Sequence, residues 1–226
     1  MSWNAKPSGS YQYDSKAGTE NIFEINDFFN TENYTIEAQS GLIGNVMAES
    51  GLNPWRWQSD TVNLSGGYGL FQFTPASGYI DLTDVPFHSP NLSTSEQTSG
   101  ATVDDGEAQL IVFNEDRLGK WISSCWRTYW DVNTYAQLYA ERKRILNTYG
   151  NGSKITLNQF KTIKNVWDAT FTFLACYEGP RVPNVGPRYE NAVNAYELLT
   201  GNPPDPPIPP TPINKKLPIW FYIKHL

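Results

Sequence analysis

Glu49 is the residue of this sequence best placed for acid–base chemistry. It follows Leu42 and Val46 at helical spacing, which predicts a helix, and the Gly51 and Pro54 that come after it are typical of a helix end. A carboxyl group in that last turn points to the side of the apolar residues and is partly buried. Burial disfavours the ionised form of a carboxyl, and a protonated carboxylic acid can donate a proton to a glycosidic oxygen. Glu49 is therefore the candidate general acid.

Hydrophobic periodicity predicts the helices that would position this acid. They cover residues 19 to 30, residues 35 to 50, a stretch that begins near Asp104 or Asp105 and includes Leu118, residues 134 to 148, and residues 188 to 199. Before the last of these, Ile163, Trp167, Phe171, Leu174 and Glu178 fall on one helical stripe. Thr134 and Gln137 form a capping-box pattern ahead of the helix over residues 134 to 148.

Two segments break the helical pattern. Residues 55 to 80 are rich in Gly, Ser, Asn and aromatic residues, which predicts irregular β structure. Residues 84 to 103 contain two Pro and a run of Ser and Thr, which predicts a surface loop. The helices are thus expected to surround one turn-rich wall.

The composition limits the classes of partner. The chain has 17 basic and 23 acidic residues and a net charge of −6, so it lacks the basic face that nucleic acid or an anionic membrane surface would need. A neutral or positively charged partner fits better. The chain has two His, and no Cys or His pair has zinc-ligand spacing, so neither a metal nor another cofactor is expected.

The two cysteines, Cys125 and Cys176, could form one disulfide bridge, but they are expected to be buried thiols. The first ten residues contain one Lys and none of the apolar stretch that a signal peptide needs. The sequence is therefore expected to carry no signal peptide, and Sec-type secretion is not expected. Disulfides are rare in proteins that stay in a reducing compartment.

The chain is predicted to divide near Thr200. Residues 1 to 200 form the main domain, and residues 201 to 213 form a Pro-rich linker in the extended polyproline II conformation. Residues 214 to 226 are an aromatic C-terminal tail and a possible anchor. The tail is far shorter than the roughly 20 apolar residues that span a bilayer, so no transmembrane span is predicted.

Three segments together resemble the phage tail lysozyme branch of the goose-type lysozyme and lytic transglycosylase superfamily. They are residues 41 to 54 (GLIGNVMAESGLNP), residues 67 to 73 (GYGLFQF) and residues 175 to 181 (ACYEGPR). Each alone is a weak signal, and their order makes the combination specific. The resemblance implies a mainly α (α+β) lysozyme-like fold, a helical bundle in which a small irregular β-hairpin forms one wall of a glycan cleft.

The resemblance also implies roles for individual residues. Glu49 is the catalytic acid, Tyr68 and Gln72 line the cleft near the scissile bond, and Tyr177 approaches the acid. Glu178, which stands where the superfamily usually has Asn, lies in the second wall. Plainer roles stay open: the tyrosines could be packing residues with a hydrogen-bonded hydroxyl, and Gln72 could satisfy backbone groups of a turn.

The second catalytic group is open at this point. Chicken-type lysozymes carry an Asp before the Tyr-Gly of the hairpin, and Gly67 occupies that place here. Asp60 or Glu178 could position a water for inversion, a carboxylate elsewhere could act as nucleophile, or the N-acetyl group of the substrate could attack. The separation of the two carboxyl groups would decide between inversion and retention.

The resemblance implies a phage tail-associated muramidase. Such an enzyme cleaves the β-1,4 bond between N-acetylmuramic acid and N-acetylglucosamine in peptidoglycan, so that DNA can enter the host. The expected location is the tail tip of the virion, where the protein acts at the host cell wall after being made in the host cytoplasm without a signal peptide. Phage tail proteins are possible partners of residues 214 to 226. The alternatives are a lytic transglycosylase that leaves anhydro-muramic ends, a soluble endolysin, and a non-catalytic glycan-binding tail protein.

Overall fold

The computed structural model describes residues 3 to 6, 8 to 82, 105 to 125, 130 and 132 to 207. Its α-helices are α1 (Lys16–Thr31), α2 (Ile36–Ser50), α3 (Ala76–Ile80), α4 (Asp105–Asn114), α5 (Ala136–Tyr149), α6 (Leu157–Phe160), α7 (Val166–Phe173) and α8 (Val185–Thr200). A 3₁₀ helix covers Gln58–Asp60, and a π-helix covers Leu174–Glu178. The loop predicted over residues 84 to 103 and the aromatic tail over residues 214 to 226 lie outside the described residues.

The mainly helical fold is confirmed, and the small β-hairpin is not. In the described part of the chain, the turn-rich segment forms two isolated antiparallel bridges, Trp57 with Tyr68 and Tyr68 with Phe73. Gly69 and Gln72 both have positive φ, at 80° and 44°. These residues reverse the chain within four positions, so the ladder between the two sides stays short. No helix among the described residues is long and apolar enough to cross a membrane.

The central helix is α2, which packs between α7 and α8. Two glycines allow the close approach: a Cβ on Gly41 would lie 2.6 Å from the Cβ of Ala169 in α7, and a Cβ on Gly44 would lie 2.5 Å from the backbone oxygen of Arg188 in α8. Leu42 and Val46 are fully buried beside them. Because both flanking helices touch its backbone, α2 holds the residues of its last turn in a fixed place.

The predicted capping box at Thr134 and Gln137 is wrong. The helix begins one residue further on, with Tyr135 as its N-cap and no side-chain capping bond. A true capping box opens α6, where Gln159 N–H donates to Thr156 Oγ1 at 3.2 Å and Thr156 N–H donates to Gln159 Oε1 at 2.9 Å. The sequence pattern is the same in both places, but only the second has the extended N-cap backbone that the motif needs.

The helical stripe predicted from Ile163 to Glu178 is interrupted at both ends. Ile163 precedes α7, which begins at Val166. At Leu174 the helix becomes a π-helix, in which Gly179 N–H donates to Leu174 O at 2.6 Å. A π turn adds a residue to the α-helical repeat, so Glu178 leaves the register of the preceding turns.

Cys125 and Cys176 form a disulfide, so the expectation of buried thiols is wrong. The loop that ends at Cys125 runs against the π-helix, where Ile122 N–H donates to Cys176 O at 2.6 Å. This contact brings the two Cα atoms to 4.1 Å. The two cysteines are 51 positions apart, and nothing local in the sequence indicates that they meet.

Candidate active site

Glu49 lies in the last turn of α2, where the sequence predicted it. Gly51 ends the helix in the left-handed conformation, with a φ of 58°, and its N–H donates to Met47 O at 3.1 Å. The Glu49 side chain is 21% exposed. The carboxyl group is therefore held at the edge of the core and remains open to solvent, as a group must be if it is to meet a polymer.

Arg188 of α8 is the partner of this carboxyl group. Its Nη2 donates to Glu49 Oε1 at 2.5 Å, and its side chain is 9% exposed. Its Nη1 donates to Asn45 Oδ1 at 3.1 Å. Asn45 lies one helical turn before Glu49 on α2 and is fully buried. Its own Nδ2 donates to Gly41 O at 2.8 Å and Thr170 O at 3.2 Å, so the amide orientation is fixed.

Sequence reasoning missed Arg188 and Asn45. The signal for Arg188 was present, because it precedes Ala192 and Ala195 at the spacing of one helix face, and both alanines are fully buried. A charged residue on a buried face needs a charged or polar partner nearby. The identity of that partner was not readable, since Glu49 is 139 positions away in the chain.

The turn-rich segment that follows Glu49 in the chain contains two of the predicted cleft residues, Tyr68 and Gln72. Tyr68 is fully buried, with its ring centroid 4.5 Å from that of Trp57 and 5.9 Å from that of Tyr79. Gln72 is half-buried, and its Nε2 donates to Arg56 O at 3.1 Å and to a second carbonyl of the turn at 3.0 Å. In this structure Tyr68 packs in the core, and the Gln72 amide closes its own turn.

Gln109 of α4 was not predicted, and it ties this turn to the segment after Glu49. It is fully buried, accepts from Leu70 N–H at 2.5 Å and donates to Pro54 O at 2.7 Å. A Cβ on Gly69 would lie 2.3 Å from Gln109 Oε1, so the contact requires glycine. The Gln109 side chain thus connects the turn at Leu70 to the loop that follows Glu49, at Pro54.

Tyr177 lies in the aromatic core and is 2% exposed. Its ring centroid is 4.8 Å from that of Phe113 and 5.1 Å from that of Phe173. Burial raises the pKa of the Tyr177 hydroxyl well above its ordinary value, and the negative charges of Glu178 and Asp116 add to this effect. The hydroxyl therefore stays protonated throughout the neutral range.

The two candidates for the second carboxylate differ in their surroundings. Asp60 is 39% exposed at the side chain; it lies 3.3 Å from Arg56 Nε and accepts from Gly9 N–H at 2.8 Å. It therefore fixes the N-terminal segment to the turn. Glu178 is half-buried at the end of the π-helix, and Gly179 turns the chain away in the left-handed conformation. Its charge acts on the Tyr177 hydroxyl beside it.

One oxygen of the Glu49 carboxyl group is paired. Among the described residues, its hydrogen-bond partner is Arg188, and that contact uses Oε1. Oε2 can then meet a substrate, and the guanidinium can stabilise negative charge on the carboxyl group. No three His, Cys, Asp or Glu side chains come together as metal ligands in the part of the chain that the structure describes.

The mainly helical fold, with Glu49 partly exposed at the end of its central helix, agrees with the lysozyme-like fold that the three motifs imply. The family model of the phage tail lysozymes matches residues 20 to 199, a range that includes Glu49, Arg188 and the turn-rich segment between them. The chain therefore belongs to the phage tail lysozyme family.

A curated phage protein is also similar to the chain. Morphogenesis protein 1 of Bacillus phage B103 is 28% identical to it over 188 residues, which is 82% of this chain. The aligned part is 41% of that relative, so the chain spans about two fifths of its length.

Proposed function

We propose that this protein is a muramidase that hydrolyses the β-1,4 bond between N-acetylmuramic acid and N-acetylglucosamine in peptidoglycan. The observation that carries the proposal is the carboxyl group of Glu49, which Arg188 holds through Oε1 while its side chain remains 21% exposed. Oε2 donates a proton to the glycosidic oxygen, and that oxygen leaves with the bonding electrons. The oxygen of a water molecule then bonds to the anomeric carbon, and the water gives up one proton to the second carboxylate.

Glu178 is the candidate that we favour for positioning that water. It lies at the end of the π-helix, in the motif of residues 175 to 181, whereas Asp60 lies outside all three motifs. Asp60 Oδ1 accepts a hydrogen bond from Gly9 and pairs with Arg56, and these contacts give Asp60 a structural role. Replacing Glu178 by Gln should therefore slow hydrolysis more than replacing Asp60 by Asn.

We propose further that the enzyme acts from the phage tail during DNA delivery. The family match and the similarity to a phage morphogenesis protein support this location. Residues 214 to 226 would join the enzyme to other tail proteins. Deleting residues 202 to 226 should leave cleavage of purified wall unchanged and remove the enzyme from virions. Loss of cleavage instead would place this segment in the cleft.

The experiment that tests the activity compares the wild type with Glu49→Gln on purified bacterial sacculi. Because the amide cannot donate the proton, sacculus clearing should fall about 1000-fold. The matched control is Glu197→Gln, which changes an exposed carboxylate on the same helix as Arg188 and should clear at the wild-type rate. Co-sedimentation with sacculi should be equal in all three proteins. Clearing by Glu49→Gln at the wild-type rate would refute the assignment of the acid.

A further inference from the structure

The burial of Arg188 is costly and therefore calls for a reason. Its side chain is 9% exposed, on a helix face that otherwise carries fully buried alanines. Removing a charged group from water costs several kcal/mol unless good partners replace the water. The partners found here are one carboxylate oxygen of Glu49 at 2.5 Å and two oxygens of Asn45, the side-chain Oδ1 at 3.1 Å and the backbone oxygen at 3.5 Å.

The chemistry of the guanidinium group makes this contact directional. Arginine has only N–H donors, and it does not deprotonate in proteins. Glu49 Oε1 accepts a hydrogen bond from this guanidinium group, so the lone pair that faces Arg188 is already used. When Glu49 is protonated, the stable arrangement keeps Oε1 as the acceptor and puts the proton on Oε2.

We infer that Arg188 is a positioning residue that keeps the transferable proton on Oε2 of Glu49 and stabilises the carboxylate left by its transfer. The inference rests on the proposed glycan cleavage. As the bond to the anomeric carbon breaks, its electron pair and the Oε2 proton both go to the leaving oxygen, and Glu49 changes from neutral to −1. Because the positive charge of Arg188 is already in place, its attraction grows as that charge develops.

Asn45 holds the plane of the guanidinium group. Its Oδ1 accepts from Arg188 Nη1, and its Nδ2 is committed to two backbone carbonyls, so the amide cannot turn around without losing both bonds. Asn45 and Glu49 lie one turn apart on α2, and Arg188 spans them. The three side chains therefore form one fixed unit, built by the contact between α2 and α8.

The test measures kcat and KM on a soluble oligomer of alternating N-acetylmuramic acid and N-acetylglucosamine. Arg188→Met should lower kcat on the order of 100-fold with KM changed less than about twofold, because the lost interaction grows in the transition state. Arg188→Lys should restore only part of kcat, because lysine is a point charge without the planar fork.

The matched control is Arg144→Met, which removes a buried arginine of similar exposure, 12%, from a separate ion-pair cluster. Assayed below its melting temperature, it should keep the wild-type kcat and KM. A wild-type kcat in Arg188→Met would overturn the inference, as would an equal loss of kcat in Arg144→Met. If Arg188→Met does not fold, the kcat of Arg188→Lys decides, and a wild-type value would overturn the inference. A wild type that releases no glycan fragments refutes the proposed function instead.

Discussion

Two buried arginines bind carboxylates in this protein, and they do so in different ways. Arg188 binds one oxygen of Glu49, whose side chain is 21% exposed, and turns its other donor to an amide. Arg144 binds two carboxylates, Glu141 and Asp168, whose side chains are 6% and 0% exposed. We name the first group the acid pair (Glu49 and Arg188) and the second group the clamp.

The clamp consists of Glu141, Arg144, Tyr149, Trp167 and Asp168, and it joins α5 to α7. Arg144 Nε donates to both oxygens of Glu141 at 3.2 Å, and its Nη atoms donate to both oxygens of Asp168. The Tyr149 hydroxyl donates to Asp168 Oδ2 at 2.7 Å, and Trp167 Nε1 donates to Glu141 Oε1 at 2.7 Å. Each carboxylate oxygen thus accepts at least one hydrogen bond.

The difference between the groups separates a structural ion pair from a reactive one. In the clamp, two carboxylates share one arginine and are closed to solvent, so they have no oxygen to offer to a substrate. In the acid pair, the arginine occupies one oxygen and leaves the other open. A buried charge alone would not have distinguished the two, because both contain a paired arginine on a buried helix face.

The largest expected effect is the difference in activity between Glu49→Gln and Glu141→Gln. The first should lose about 1000-fold in cleavage per folded molecule, because the amide N–H is too weak an acid to protonate the leaving oxygen. The second should melt at a lower temperature, because Arg144 loses a charged partner, and should keep the wild-type activity per folded molecule. Sacculus clearing and circular dichroism melts measure the two effects. Equal loss of activity in both variants would remove the distinction.

The next effect is on stability. Arg144→Met should lower the free energy of unfolding by about 3–5 kcal/mol, because it leaves two buried carboxylates without a cation. Arg188→Met should lower it less, because Glu49 is partly exposed and can be hydrated. Urea unfolding of the two variants beside the wild type gives both values. A greater loss in Arg188→Met would mean that the acid pair is the main structural ion pair.

The disulfide should stabilise the π-helix, which contains Cys176 and Glu178, and not the clamp. Replacing both Cys125 and Cys176 by Ser should cost about 2–4 kcal/mol, because the bridge closes a loop of 51 positions in the unfolded chain. The measurement is urea unfolding of the double variant, with wild type in reducing agent as the control. Unchanged stability of the reduced wild type would show that the bridge adds nothing.

The smallest effect concerns the edge of the clamp. Burial, followed by the hydrogen bond to Asp168, raises the pKa of the Tyr149 hydroxyl from its ordinary value of 10.0. Its contribution to stability is therefore present below pH 10 and is lost as the pH rises above that value, where the unfolded chain ionises first. Tyr149→Phe should cost about 1 kcal/mol at pH 7. Melts from pH 8 to about 11 should fall less steeply in the variant, and parallel curves would contradict this assignment.

The sequence predicted the position of Glu49 but not that of its partner. The place of Glu49 followed from local signals, since the apolar spacing of α2 and its Gly-then-Pro end are contained in one segment. The three motifs likewise predicted the mainly helical fold. Arg188 could not be assigned to Glu49, because a contact across 139 positions depends on how α2 and α8 pack. The disulfide was missed for the same reason.

Other predicted residues reveal a second limit. Motif matching identifies the segment that builds a wall, but it does not tell which face of that segment each side chain takes. Tyr68 and Tyr177 are in matched segments, and both are buried in the aromatic core. The direction of the Glu178 side chain could not be predicted either. The π-helix shifts Glu178 out of the α-helical register, and one extra residue in a turn cannot be read from an apolar stripe.

Mass spectrometry of the sugar ends released from purified peptidoglycan tests the central claim most directly, with the wild type beside Glu49→Gln. The account predicts reducing N-acetylmuramic acid ends from the wild type and none from the variant. Anhydro-muramic ends from the wild type would contradict hydrolysis and indicate attack by the substrate's own N-acetyl group. Reducing ends from Glu49→Gln at the wild-type rate would contradict the role of Glu49 as the acid.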